Sequence, residues 1–230
     1  MDRIWQHEGP QMYASRGRHK IWHDYLLLLL ALIPMVIIVP VLPGVPSSRP
    51  VILIFLTIFF IAGIYVMRGD RRRFLISCIL ALIAIETFWV SVWSVAASLF
   101  VPAEFFFLLF LVHQTRYHFQ GLFLASSEGS ILDIMSGVSA LIMIGGMMLG
   151  TSLHLAGLIG RTILDDPLLL HTSFARALPE GVLVLIRGGG NVSDVTPLGM
   201  VLLMVGSVYG FILLALSAGK IASYYIKNSK

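Results

Sequence analysis

What this sequence lacks most is charge. Only 12% of its 230 residues are Asp, Glu, Lys or Arg, about half of the ~25% found in soluble domains. With 57% hydrophobic residues as well, no large soluble domain can be built, and the bilayer is the solvent the composition implies. Cysteine is nearly absent. The single Cys78 lies inside an apolar run, which excludes an internal disulfide and leaves an inert, buried thiol as the default. The signatures of chemistry are missing too. The seven histidines are scattered. There is no H-x-x-x-H or H-E-x-x-H pair for a metal, no G-x-S-x-G elbow, and no G-K-[ST] after a glycine-rich loop. These absences argue against an enzyme, and no cofactor is implied. A net charge of +4 would suggest nucleic acid in a soluble protein. Here the basic residues flank apolar runs, as membrane topology requires, and no nucleic-acid partner is expected.

What is present is a series of six apolar segments, near residues 22–41, 51–67, 74–97, 100–117, 131–158 and 196–226. Each is expected to be helical, since a lone strand in lipid leaves its backbone unpaired. The first follows twenty mixed polar residues and is long enough to span, so it reads as a retained helix rather than a signal peptide. The arginines and lysines give the orientation. With the N-terminus inside, twelve of the sixteen fall on inner segments, including Arg68 and Arg71 to Arg73. Four fall outside: Arg49, Arg161, Arg176 and Arg187. Both termini are therefore expected in the cytoplasm.

The gap between the fifth and sixth segments is unlike the others. It reads GRTILDDP, then HTSFARALPEGVLVLI, then the glycine run of "LIRGGGNVSDVTPLG". Thr172 or Ser173 can cap a short helix, with Pro179 in mild conflict inside it. Residues 174–186 are semi-apolar and too short to span. They read as re-entrant, leading to glycines whose bare backbone faces something polar. The expected fold is an all-α membrane protein with six transmembrane helices. A re-entrant pore helix and filter loop lie between helices 5 and 6. Its parts are an N-terminal cytoplasmic segment (1–21), a four-helix membrane domain (22–125) and a pore module (126–230).

The run Gly188 to Leu198, G-G-G-N-V-S-D-V-T-P-L, resembles without a gap the filter G-Y-G-D-I-T-P-V-T-P-L of a bacterial subgroup of potassium channels. SFARALPEGVLVLI stands where that subgroup has its pore helix. Asp133 to Ala140 resembles the start of its outer helix, with Ser130 to Asp133 also fitting a capping box. Gly210 lies 22 positions after Gly188, where such inner helices often have a hinge glycine. The sequence is thus similar to the bacterial channel family with four helices before a two-helix pore module. That resemblance implies a homotetramer in a bacterial inner membrane, since one loop per chain cannot enclose an axis. It also implies a permeant monovalent ion.

The filter departs from the family at several positions. Ile186 replaces the threonine, Arg187 the valine, Gly189 the tyrosine brace and Asn191 the aspartate; only Gly188 and Gly190 remain. Backbone carbonyls and the threonine hydroxyl select potassium in that family, so weak or altered selectivity is expected. Arg187 has three readings: paired with Glu180 behind the filter, facing the pore and repelling cations, or outward and solvated. The fourth segment has only Arg116 near its inner end, too few arginines for a voltage sensor. Glu86, deep within the third segment, is functional, or hydrogen-bonded to a neighbouring hydroxyl or to Trp89, or simply a neutral carboxyl. His154, alone in the fifth segment, is expected to make a helix-packing hydrogen bond. The competing function is a non-conducting scaffold that keeps the channel fold for an unidentified membrane partner.

Overall fold

A computed structural model of the chain describes residues 19–38, 48–93, 99–124, 131–159, 167–187 and 197–228. Among these residues there is no strand. The helices are α1 (His19–Ile37), α2 (Ser48–Val66), α3 (Arg71–Trp93), α4 (Phe100–Phe119), α5 (Ile131–Ile159), α6 (Pro167–Arg187) and α7 (Pro197–Asn228). A π-helical turn, Gln120–Leu124, extends α4. Six membrane-spanning helices were expected; among the described residues three stretches are long and apolar enough to cross a membrane: Arg71–Ser91, Ile131–Gly157 and Pro197–Ile226. Shorter apolar helices cover Asp24–Ile37 and Pro50–Val66. The described residues are thus all-helical, and the long apolar helices are those of a membrane protein.

The turn between α2 and α3 shows how polar residues set the ends of these helices. The Asp70 carboxylate accepts hydrogen bonds from the backbone N–H of Arg72 (3.1 Å) and of Arg73 (3.2 Å), capping α3. It also pairs with the Arg73 guanidinium at 2.9 Å. Arg68 reaches across to Asp24 of α1 at 3.0 Å and lies 3.7 Å over the Tyr65 ring. The basic loop is thereby fastened to the first helix.

Helices α1 to α4 enclose an aromatic core. Phe59 and Phe60 from α2 meet Phe107 and Phe110 from α4, with ring centroids 4.8 Å apart for Phe60 and Phe110. Edge-to-face rings of this kind add to the effect of burial itself. The core does not end at α4. Phe174, on α6, packs 5.7 Å from both Phe88 and Phe100, so α6 is anchored in the four-helix core.

Helix α5 is the hub, packing on α1, α4, α6 and α7. Its contact with α6 is the most extensive between any two helices here. Along that contact Gly146 faces Val182, and Gly150 faces Ala177, so the two helices run antiparallel. Helix α7 is antiparallel to α5 as well, with Gly206 against Leu149 and Tyr209 against Gly145. It follows that α6 and α7 run parallel to each other.

One helix departs from its expected bounds. A short helix capped at Thr172 or Ser173 was expected. Instead α6 has 21 residues, starts at Pro167 and takes both residues into its interior. A proline at the first helical position costs nothing, because its φ suits the helix and its missing N–H would be unpaired there anyway. Pro179 is inside the helix as expected, where it removes one backbone hydrogen bond.

Candidate pore module and a buried carboxylate–histidine pair

The α5–α6 contact is made by backbone on backbone. A Cβ at Gly150 would collide with the Ala177 carbonyl, and one at Gly181 with the backbone of Gly146 and Gly150. A Cβ at Gly146 would strike Val182. Gly146-x-x-x-Gly150 on α5 thus faces Ala177-x-x-x-Gly181 on α6, the small-residue spacing that lets membrane helices approach closely. The reading of the sequence missed this, although the signature G-x-x-x-G was there to be found. Gly210 belongs to the same packing. It is buried on α7, and a Cβ there would strike the Leu185 carbonyl of α6.

The filter residues divide at the end of α6. Ile186 and Arg187 are its last two residues, both exposed. Gly188, Gly189, Gly190 and Asn191 lie outside the described residues, as does Ser130 of the expected capping box. Glu180 is also exposed on α6. Seven residues of helix rise about 10 Å, and no ion pair within the chain joins Glu180 to Arg187. The geometry does not bring that supporting pair together.

A different pairing, of a carboxyl group with an imidazole, is present. Glu104 on α4 has no exposed surface, and its carboxylate lies 2.9 Å from His154 Nδ1 on α5. Around it are Phe100, whose ring is 6.4 Å from the imidazole, and Phe174, at 6.0 Å. The pair sits where α4, α5 and α6 converge. His154 thus makes an interhelix bond of the kind expected, but its partner, Glu104, was overlooked. Glu86 is instead exposed on α3, between the exposed apolar residues Leu82 and Val90. These two acids therefore take opposite places: Glu104 is buried within the protein and Glu86 lies on its surface. Among the described residues no group of three or more His, Cys, Asp or Glu side chains is placed to hold a metal.

Comparison with protein-family models, with curated proteins and with solved structures yields no match. The functional reading therefore rests on the residues and their arrangement.

Proposed function

We propose that this protein is a channel-like integral membrane protein, a homotetramer in which α5, α6, the segment 188–196 and α7 form a cation pore module of weak or altered selectivity. The observation that supports this best is the direction of α6. It runs back along α5, and Leu185, near its end, stands beside Gly210, thirteen residues into α7. Thirteen residues of helix rise about 20 Å. Nine residues of chain can reach about 30 Å, so a return from the end of α6 to Pro197 is within the reach of 188–196. A helix followed by a chain that returns beside a parallel inner helix is the arrangement a pore loop requires. The α6 C-terminus then aims the negative end of its dipole at the loop, favouring a cation there, while Arg187 opposes it.

Tetramerisation gives the outer face of α7 a use. Val201, Met204, Val205, Val208, Phe211 and Ile212 are all exposed on the isolated chain. In the proposed assembly this face packs against neighbouring copies and lines the inner part of the pore. The scaffold alternative is favoured by Ile186 and Arg187, since neither side chain suits a potassium filter.

Recording from the purified protein in planar bilayers under opposed potassium and sodium gradients tests the proposal. The expected result is a current with little discrimination between the two ions. A strong potassium preference would show that Ile186 and Gly189 do not weaken selectivity. A verified tetramer that carries no current would leave the scaffold.

A further inference from the structure

A cavity of about 260 Å³ opens between the ends of α3 and α4 that meet near the α2–α3 turn. Arg72, Arg73 and Ile76 line it from α3, His113 and Arg116 from α4, and Gln120 from the π-helical turn. No acid is among the lining residues. The three arginines are not equivalent. Arg73 is engaged by Asp70 at 2.9 Å and lies 5.4 Å over the Tyr117 ring, so it forms part of the wall. The imidazole of His113 is held 3.3 Å from the Arg73 carbonyl oxygen, which fixes the opposite side. Arg72 and Arg116 are exposed, and among the described residues neither guanidinium has a carboxylate partner. Two guanidiniums without a carboxylate partner thus flank a concave site with a basic wall and an amide in its lining.

We propose that this cavity binds the phosphate of an anionic phospholipid. Guanidinium forks match phosphate oxygens with paired hydrogen bonds, and two of them more than neutralise the single negative charge of a phosphodiester. The position favours phosphate attached to a lipid over phosphate free in water. The cavity lies at the polar end of α3, whose Arg71–Ser91 stretch is membrane-length, and so at the depth of headgroups. Directly along the same helix Leu75, Ile76 and Ile79 are exposed apolar side chains, a path for an acyl chain. The site is separate from the pore module and does not depend on that reading.

The test uses the full chain, delipidated in detergent, with unfolding temperature followed during titration. The titrants are dioleoyl phosphatidylglycerol, dioleoyl phosphatidylcholine and inorganic phosphate. A rise with phosphatidylglycerol alone is expected. The double variant Arg72→Gln/Arg116→Gln should bind it roughly thirtyfold more weakly, from the usual contribution of two basic residues near a lipid surface. Arg71→Gln, exposed nearby but outside the cavity, should weaken binding by no more than about fivefold, the contribution of one basic residue near a lipid surface. Both substitutions in the double variant are at exposed positions, so folding is retained. An equal rise with phosphatidylcholine overturns the proposal, as does an Arg71→Gln loss matching that of the double variant. A rise with inorganic phosphate as large as with the lipid would make this a solute site and overturn the lipid assignment.

Discussion

Replacing Gly150 or Gly181 by valine is expected to separate α6 from α5 and to remove most of the folded protein. The space a side chain needs at these positions is taken by the Ala177 carbonyl and by the backbone of Gly146 and Gly150. Extra methyl groups in a packed core commonly cost about 1–3 kcal/mol, because neighbours can shift or change rotamer. Backbone inside a helix can do neither without breaking its hydrogen bonds. Each substitution should therefore cost about 3 kcal/mol or more, a large share of the ~5–15 kcal/mol of a typical folded protein. Gly157 is the control: it lies on the same helix, and a Cβ there meets nothing within 4 Å. Gly157→Val should stay within about 0.5 kcal/mol. Thermal unfolding in detergent, beside the yield of monodisperse protein, reads all three. A mild effect at Gly150 would mean that α5 and α6 are not in backbone contact.

The second large effect concerns the buried pair. Removing one partner of a buried charge pair costs about 3–5 kcal/mol, because the survivor is left uncompensated, while replacing both by apolar residues is often nearly neutral. Glu104 has no exposed surface and His154 8%, so the site offers no water to a survivor. His154→Leu strands a buried carboxyl group and Glu104→Leu strands a buried imidazole, so each single change should be harmful. The double variant Glu104→Leu/His154→Leu should be more stable than His154→Leu alone. A double-mutant cycle on unfolding temperature measures this coupling. Additive losses would show that the two side chains contribute separately.

Most helix positions were legible because long apolar runs leave few alternatives to a helix. The expected segments 51–67 and 131–158 correspond to Ser48–Val66 and Ile131–Ile159. Helix α6 was harder. It carries Arg176, Glu180 and Arg187 along a mixed face, so hydropathy marked only its apolar half and missed the start at Pro167. Which side of a helix faces inward was less legible still. Helix α3 is apolar nearly all round after its first turn, and such a helix gives no stripe by which to orient it. Glu86 was for that reason weighed as an interior acid, while the structure turns it outward. Glu104 was hidden differently. It sits near the start of an apolar run, and its partner is fifty positions away, a pairing that no local pattern records. The glycine contacts were legible in principle, since both small-residue spacings are written in α5 and α6. Gly210 was identified, but as a hinge alone; its packing against Leu185 appears only with the helices in place.

The central claim is that α6 enters the membrane and the chain returns to the side it came from. Thiol labelling with a membrane-impermeant maleimide tests it on intact cells. The background is Cys78→Ser, with single cysteines at Pro167, at Leu198 and at Ser223, which begin α6, begin α7 and lie far along α7. The account predicts that Pro167→Cys and Leu198→Cys react from the same, outer side and that Ser223→Cys reacts only after permeabilisation. Labelling of Pro167→Cys and Leu198→Cys from opposite sides would mean that α6 crosses the membrane, which contradicts a pore loop.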